Sequence, residues 1–144
     1  MPLKVQLRKG QKIIINGAVL ENIANHNVSL LVMNDAAILR DSDILTPEDA
    51  ATPASRVYYE LQCAYLFPQN REVHIAHFQA YMSDYLRAAP SAEALASEIQ
   101  GMIAVGDLYP ALKRAQKLIE HERKVLTHVQ ERLGQELRGT PRGG

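Results

Sequence analysis

The chain has 144 residues with 16 basic and 16 acidic side chains, a length that suggests one compact domain or two small lobes on a shared core. Its 47% apolar and 22% charged residues exclude wholesale disorder, and no apolar run approaches the length of a membrane span. A single cysteine, Cys63, excludes an internal disulfide and a multi-cysteine zinc site, and no signal-peptide core follows Met1, so a cytoplasmic protein is expected.

The first 45 residues read as strands. Leu3 to Arg8 alternates apolar and polar with period two, which turns Leu3, Val5 and Leu7 to one face. After a turn at Lys9–Lys12, Ile13-Ile14-Ile15 is β-branched throughout, as in a strand buried on one or both faces. Asn16-Gly17 follows at once, a pair that tolerates positive φ and marks a two-residue hairpin. Ala18-Val19-Leu20, Val28–Met33 and Ala37–Arg40 supply the remaining strands, with a polar loop over Asn22–Asn27. The period then changes. Thr46-Pro47 and Thr52-Pro53 are both helix-start signals.

Four helices are predicted. The first runs from Pro53 to about Phe67, with Val57, Tyr58, Leu61, Ala64 and Tyr65 on one face, and Pro68 stops it. The second runs from Asn70 to Arg87, with Val73, Ala76, His77, Ala80, Tyr81 and Tyr85 on one stripe. The third covers Ala92–Val105 and ends at Gly106. The fourth, from about Leu108 to Leu137, carries Leu108, Leu112, Ala115, Ile119, Leu126, Val129 and Leu133, with Glu122 interrupting the stripe. A helix of that length outruns so small a body, so Leu126, Val129 and Leu133 are expected to meet another copy of the chain. The fold class is therefore α+β: a small N-terminal antiparallel β sandwich or barrel-like sheet (1–45), a helical region (46–138) ending in one long amphipathic helix, and a disordered tail (139–144).

The residues offer little catalytic chemistry. There is no glycine-rich phosphate loop, no Walker lysine and no nucleophile elbow. His74 and His77 lie one turn apart and would need His121 or His128 to complete a metal site; no HExxH or Cys/His cluster supports one, and no metal or cofactor is expected. Cys63 reads as a small buried hydrophobe, Glu120 and Glu122 as exposed helix positions, and the tyrosines as packing. The balanced charge is segregated: residues 1–45 sum to +1, 46–108 to −5 and 109–144 to +4. Four cations, Lys4, Arg8, Lys9 and Lys12, occupy the first twelve residues with no acid between them, and Arg40 joins them from the last strand. They are the best candidates for an anion contact, and equally a solvated face whose lysines discourage edge pairing. Asn16 and Asn22 add amides able to hydrogen-bond base edges.

Three blocks carry a resemblance: Gly10–Val19, Ala37–Arg40 leading into Asp43–Ala50, and Thr52–Tyr59. In order and spacing they resemble the flagellar biosynthesis repressor FlbT family, most specifically over residues 3–66. The resemblance implies a non-enzymatic, post-transcriptional repressor that associates with the 5′ untranslated leader of flagellin mRNA and lowers its translation or stability. It also implies a companion regulator, FlaF, of opposite sign. Two readings follow: a direct RNA-binding repressor using Lys4, Arg8, Lys9, Lys12 and Arg40, or an adaptor that acts through a protein partner such as FlaF.

Overall fold

A computed structural model describes residues 2–139. Strand β1 (Leu3–Leu7) pairs antiparallel with β4 (Val28–Val32), Leu3 opposite Val32 and Leu7 opposite Val28. Strand β2 (Lys12–Ile15) lies between β3 (Ala18–Glu21) and β5 (Ile38–Arg40), antiparallel to both. The expected sandwich is thus a two-stranded ribbon on a three-stranded sheet.

β2 answers to two cores at once. Ile13, with Ile15 and Ile38, faces Val5, Leu7, Val28, Leu30 and Val32 of the ribbon. Ile14 and Leu39 face the helices instead. The β-branched run is buried on both faces, which makes the molecule three layers: ribbon, sheet, helices.

The Asn16-Gly17 turn forms as the sequence demands. Ile15 pairs with Ala18 across it, and both turn residues have positive φ, 51° and 84°. Two positive φ values define the primed turn whose twist matches paired strands. A Cβ on Gly17 would also lie 2.9 Å from a ring carbon of Phe67. Asn16 is bound to the next strand connection, its backbone N–H donating to the Ala37 carbonyl at 2.8 Å and its side-chain oxygen accepting from the Ala37 N–H at 2.8 Å.

The two threonine–proline signals have different outcomes. Thr46 starts only one 3-10 turn, Pro47–Asp49. Pro53 disfavours helical backbone at Thr52, which is extended (φ −109°, ψ 160°), so no helix can run through from Thr46. Helix α1 (Pro53–Leu66) then begins with a capping box: Thr52 Oγ1 accepts from the Ser55 N–H, and Ser55 Oγ accepts from the Thr52 N–H.

Helix α1 is the hub of the helical layer, packing on both α2 (Arg71–Ala88) and α4 (Leu108–Gly139). Helix α3 (Glu93–Ala104) packs on α4 and ends at Gly106, which has φ 83°. The predicted stripe of α2 needs correction. Phe78, Met82 and Tyr85 are buried, with Ile75, Tyr81 and Leu86 partly so, while Val73, Ala76, His77 and Ala80 are exposed. Both stripes satisfy a helical period; the one bearing the larger side chains buries more apolar area and faces the core.

Glu122 is also corrected, from exposed to buried. Its Oε2 accepts from the Ala54 N–H at 2.9 Å, in the first turn of α1. A carboxylate there satisfies an otherwise orphan donor and lies at the positive end of the helix dipole. Beyond it the core stops: Leu108, Ala111, Leu112, Ala115 and Leu118 are buried, whereas Leu126, Val129 and Leu133 are 50%, 45% and 53% exposed. Gly139 closes α4, and the rest of the expected tail, 140–144, lies outside the described residues.

Gly17→Val should lower unfolding free energy by ~1 kcal/mol or more, because a branched side chain is strained at positive φ and meets Phe67. Urea denaturation measures this, and an unchanged midpoint would refute the turn.

Candidate nucleic-acid interface

The five sequence-predicted cations are all exposed, but they do not form one face. Lys4 stands on the outer side of the ribbon, in line with Gln6 and opposite Leu31. Arg8 and Lys9 lie in the turn after β1, closed by the Gln11 N–H donating to the Arg8 carbonyl at 3.0 Å. Lys12 and Arg40 sit on adjacent strands of the other sheet, since Ile13 pairs with Arg40. Asp41 stands beside them and accepts from the Lys12 N–H at 2.7 Å. The division follows from topology: β1 and β2 belong to different sheets, so consecutive cations part company.

The amides are spent on structure. Asn22 is buried and donates to the Leu7 and His26 carbonyls at 3.1 and 3.0 Å while accepting from the Ala24 N–H. Asn16 holds Ala37, as described above. The basic start of α4 is paired as well: Lys113 with Asp43 at 3.1 Å, Arg114 with Glu98 at 3.1 Å and Lys117 with Glu120 at 3.4 Å.

What sequence reading missed is a cleft of about 300 Å³ between sheet and helices, lined by Leu3, Ala36, Ile38, Arg40, Tyr65 and Tyr109. Tyr65, from α1, is fixed there: its hydroxyl accepts from the Ile38 N–H at 3.0 Å and donates to the Ile38 carbonyl at 3.1 Å. Burial pushes its phenol above the ordinary value, so it stays a neutral hydrogen-bonding group. Tyr109, from the first turn of α4, packs against it at a centroid distance of 5.5 Å and a 43° tilt. Tyr109 is itself 40% exposed. No sequence signal joins positions 3, 36–40, 65 and 109; only the fold does.

The histidine pair finds a different third member from either expected one. Glu60 of α1 faces both rings, Oε2 to His74 Nδ1 at 2.8 Å and Oε1 to His77 Nδ1 at 3.1 Å. His121 is engaged elsewhere, with the Tyr85 hydroxyl at 2.7 Å and the Ser91 hydroxyl at 2.9 Å, and His128 is exposed on distal α4. On the side of the His121 ring away from Ser91 stands the Tyr85 phenol, which burial raises to about 12 and keeps neutral, where a catalytic triad has a carboxylate. Cys63 is buried, and burial pushes its thiol up, which suppresses the nucleophilic thiolate.

The family profile described as "Flagellar protein FlbT" matches residues 3–126. This chain belongs to the FlbT family. A Bradyrhizobium diazoefficiens protein named "Probable flagellum biosynthesis repressor protein FlbT 1" is 39% identical over 125 residues, covering 87% of this chain and 85% of its own length. The "Flagellum biosynthesis repressor protein FlbT" of Caulobacter vibrioides is 32% identical over 131 residues, covering 90% and 92%. A relative from Caulobacter sp. strain K31 is 34% identical over 131 residues, covering 90% and 99%. No solved structure matches. The FlbT match spans both sheets and all four helices as far as Leu126, the residue at which α4 leaves the body. Val129 and Leu133 lie past its end. No helix among the described residues is long and apolar enough to cross a membrane.

Proposed function

We propose that this FlbT protein is a post-transcriptional repressor of flagellin synthesis that contacts the 5′ leader of flagellin mRNA directly. The observation that carries the reading is the match over residues 3–126 to relatives named flagellum biosynthesis repressors. The surface supports it physically. Lys4, Arg8, Lys9, Lys12 and Arg40 are exposed on the β layers, whereas Lys113, Arg114 and Lys117 are neutralised by acids. Spread over a turn and two sheets, the β-layer cations suit a phosphate backbone that bends across the surface better than a straight duplex. With zero net charge, the chain as a whole is not drawn to an anion, and binding rests on these local contacts.

Distal α4 supports the association of two copies. Leu126, Val129 and Leu133 follow steps of three and four and are about half exposed, the spacing of a coiled-coil seam. Two copies would present the cations twice and raise apparent affinity by avidity. The same stripe favours the second reading, an adaptor that docks FlaF or another helix and affects RNA only indirectly.

Arg8→Ala with Lys12→Ala should weaken flagellin-leader binding and flatten its logarithmic salt dependence by about one unit, because fewer counterions are released. Filter binding across a salt series reads both. Unchanged affinity and slope would remove the β layers from RNA recognition. Leu126→Glu with Leu133→Glu should convert an oligomer to a monomer in light scattering, and a wild type already monomeric at tens of micromolar would refute the seam.

A further inference from the structure

We infer that the Arg40–Tyr65–Tyr109 cleft is the site where one unstacked base of the RNA is held; the inference rests on the RNA-binding reading above. Single-stranded RNA is recognised by splaying out bases, stacking them on aromatic or guanidinium planes and fixing the adjoining phosphate with a cation. The cations of the β layers supply only the last of these. This cleft supplies all of them in one place.

Tyr109 provides the platform, being half-exposed and buttressed by Tyr65 at 5.5 Å. Tyr65 cannot swing away, because its hydroxyl is bonded both ways to the backbone of Ile38. The ring that backs the platform is therefore fixed before binding, which lowers the ordering cost on that side of the cleft. Leu3, Ala36 and Ile38 form apolar walls, which favour a flat aromatic guest over a hydrated one. Arg40 closes the rim, and its exposed guanidinium can take the flanking phosphate or stack on the second face of the base. At about 300 Å³ the cleft is at the small end of ligand pockets, sized for one base with its sugar and too small for a folded element. An apolar cleft with a cationic rim and, among the described residues, no acidic lining residue suits a base joined to an anionic backbone.

The cleft assigns separate work to separate residues. Arg8, Lys9 and Lys12 contribute sequence-independent attraction to phosphates, and Tyr109 contributes a contact that requires a base. Their effects on binding must therefore differ in kind.

The test uses the full chain, a labelled unstructured oligoribonucleotide, and the same sugar-phosphate backbone with abasic sites. Tyr109→Ala should weaken binding of the base-bearing strand by about tenfold or more, leave its salt slope unchanged, and leave binding to the abasic strand unchanged. Tyr109→Phe should bind like wild type. Tyr109→Trp gives a chain whose sole tryptophan lies in the cleft, because the natural sequence has none. Its emission should be quenched by the base-bearing strand and not by the abasic one, a readout that stands even if Tyr109→Ala proves poorly folded. Wild-type binding combined with no loss in Tyr109→Ala, or with no quenching in Tyr109→Trp, would overturn the base site while leaving the RNA reading intact. Failure of wild type to bind either strand, or the leader itself, would overturn both.

Discussion

The structure depends on how the chain from Ile38 to Leu45 is held against α1. This segment leaves the central sheet and crosses toward the helices, where buried backbone groups must find partners other than water. Three side chains of α1, spaced four and three apart, provide them. Tyr58 donates to the Asp43 carbonyl, Gln62 bonds both the N–H and the carbonyl of Leu45, and Tyr65 does the same for Ile38. The helix thus acts as a polar template for an irregular segment while its apolar residues, Val57, Leu61 and Ala64, go to the core. Asp43 extends the seam to α4 through Lys113 and Gln116, and Glu122 ties α4 back to the start of α1. Burial raises the Tyr58 phenol to about 12, which keeps this donor protonated across the physiological range.

That seam also sets how the two layers meet. It places β5 beside α1 and the first turn of α4, so that an arginine from a strand and tyrosines from two helices border one cleft. It also engages Lys113 of α4, which pairs with Asp43 at 3.1 Å while its side chain stays partly exposed. The far half of α4 receives no such partner and projects past the core. The exposure of Leu126, Val129 and Leu133 follows from the same arrangement, in which the core ends at Glu122.

Much of the fold was legible because local chemistry and tertiary packing agree. Proline and threonine mark the start of α1, Asn16-Gly17 marks the hairpin, and Gly106 marks the break before α4. The failures have common physics: two readings satisfied the local rule and only packing chose between them. The α2 stripe could run through Val73, Ala76 and Ala80 or through Phe78 and Met82, and burial selected the larger side chains. Glu122 looked solvated because nothing in α4 announces that it opposes the start of a helix 68 residues earlier. The cations were found individually, yet their division between two sheets depends on strand pairing. The cleft was invisible, since its aromatic members look like ordinary helix packing until the fold sets them beside Arg40.

The central claim is that exposed cations of the β layers bind the flagellin leader itself. The most direct measurement is equilibrium binding of purified wild-type protein to that leader, in the absence of FlaF, over a range of salt concentration. Neutralising three to five phosphates of a single strand predicts a logarithmic slope of roughly −2 to −3.5. Binding that appears only when a protein partner is added, or an affinity that does not respond to salt, would contradict the account.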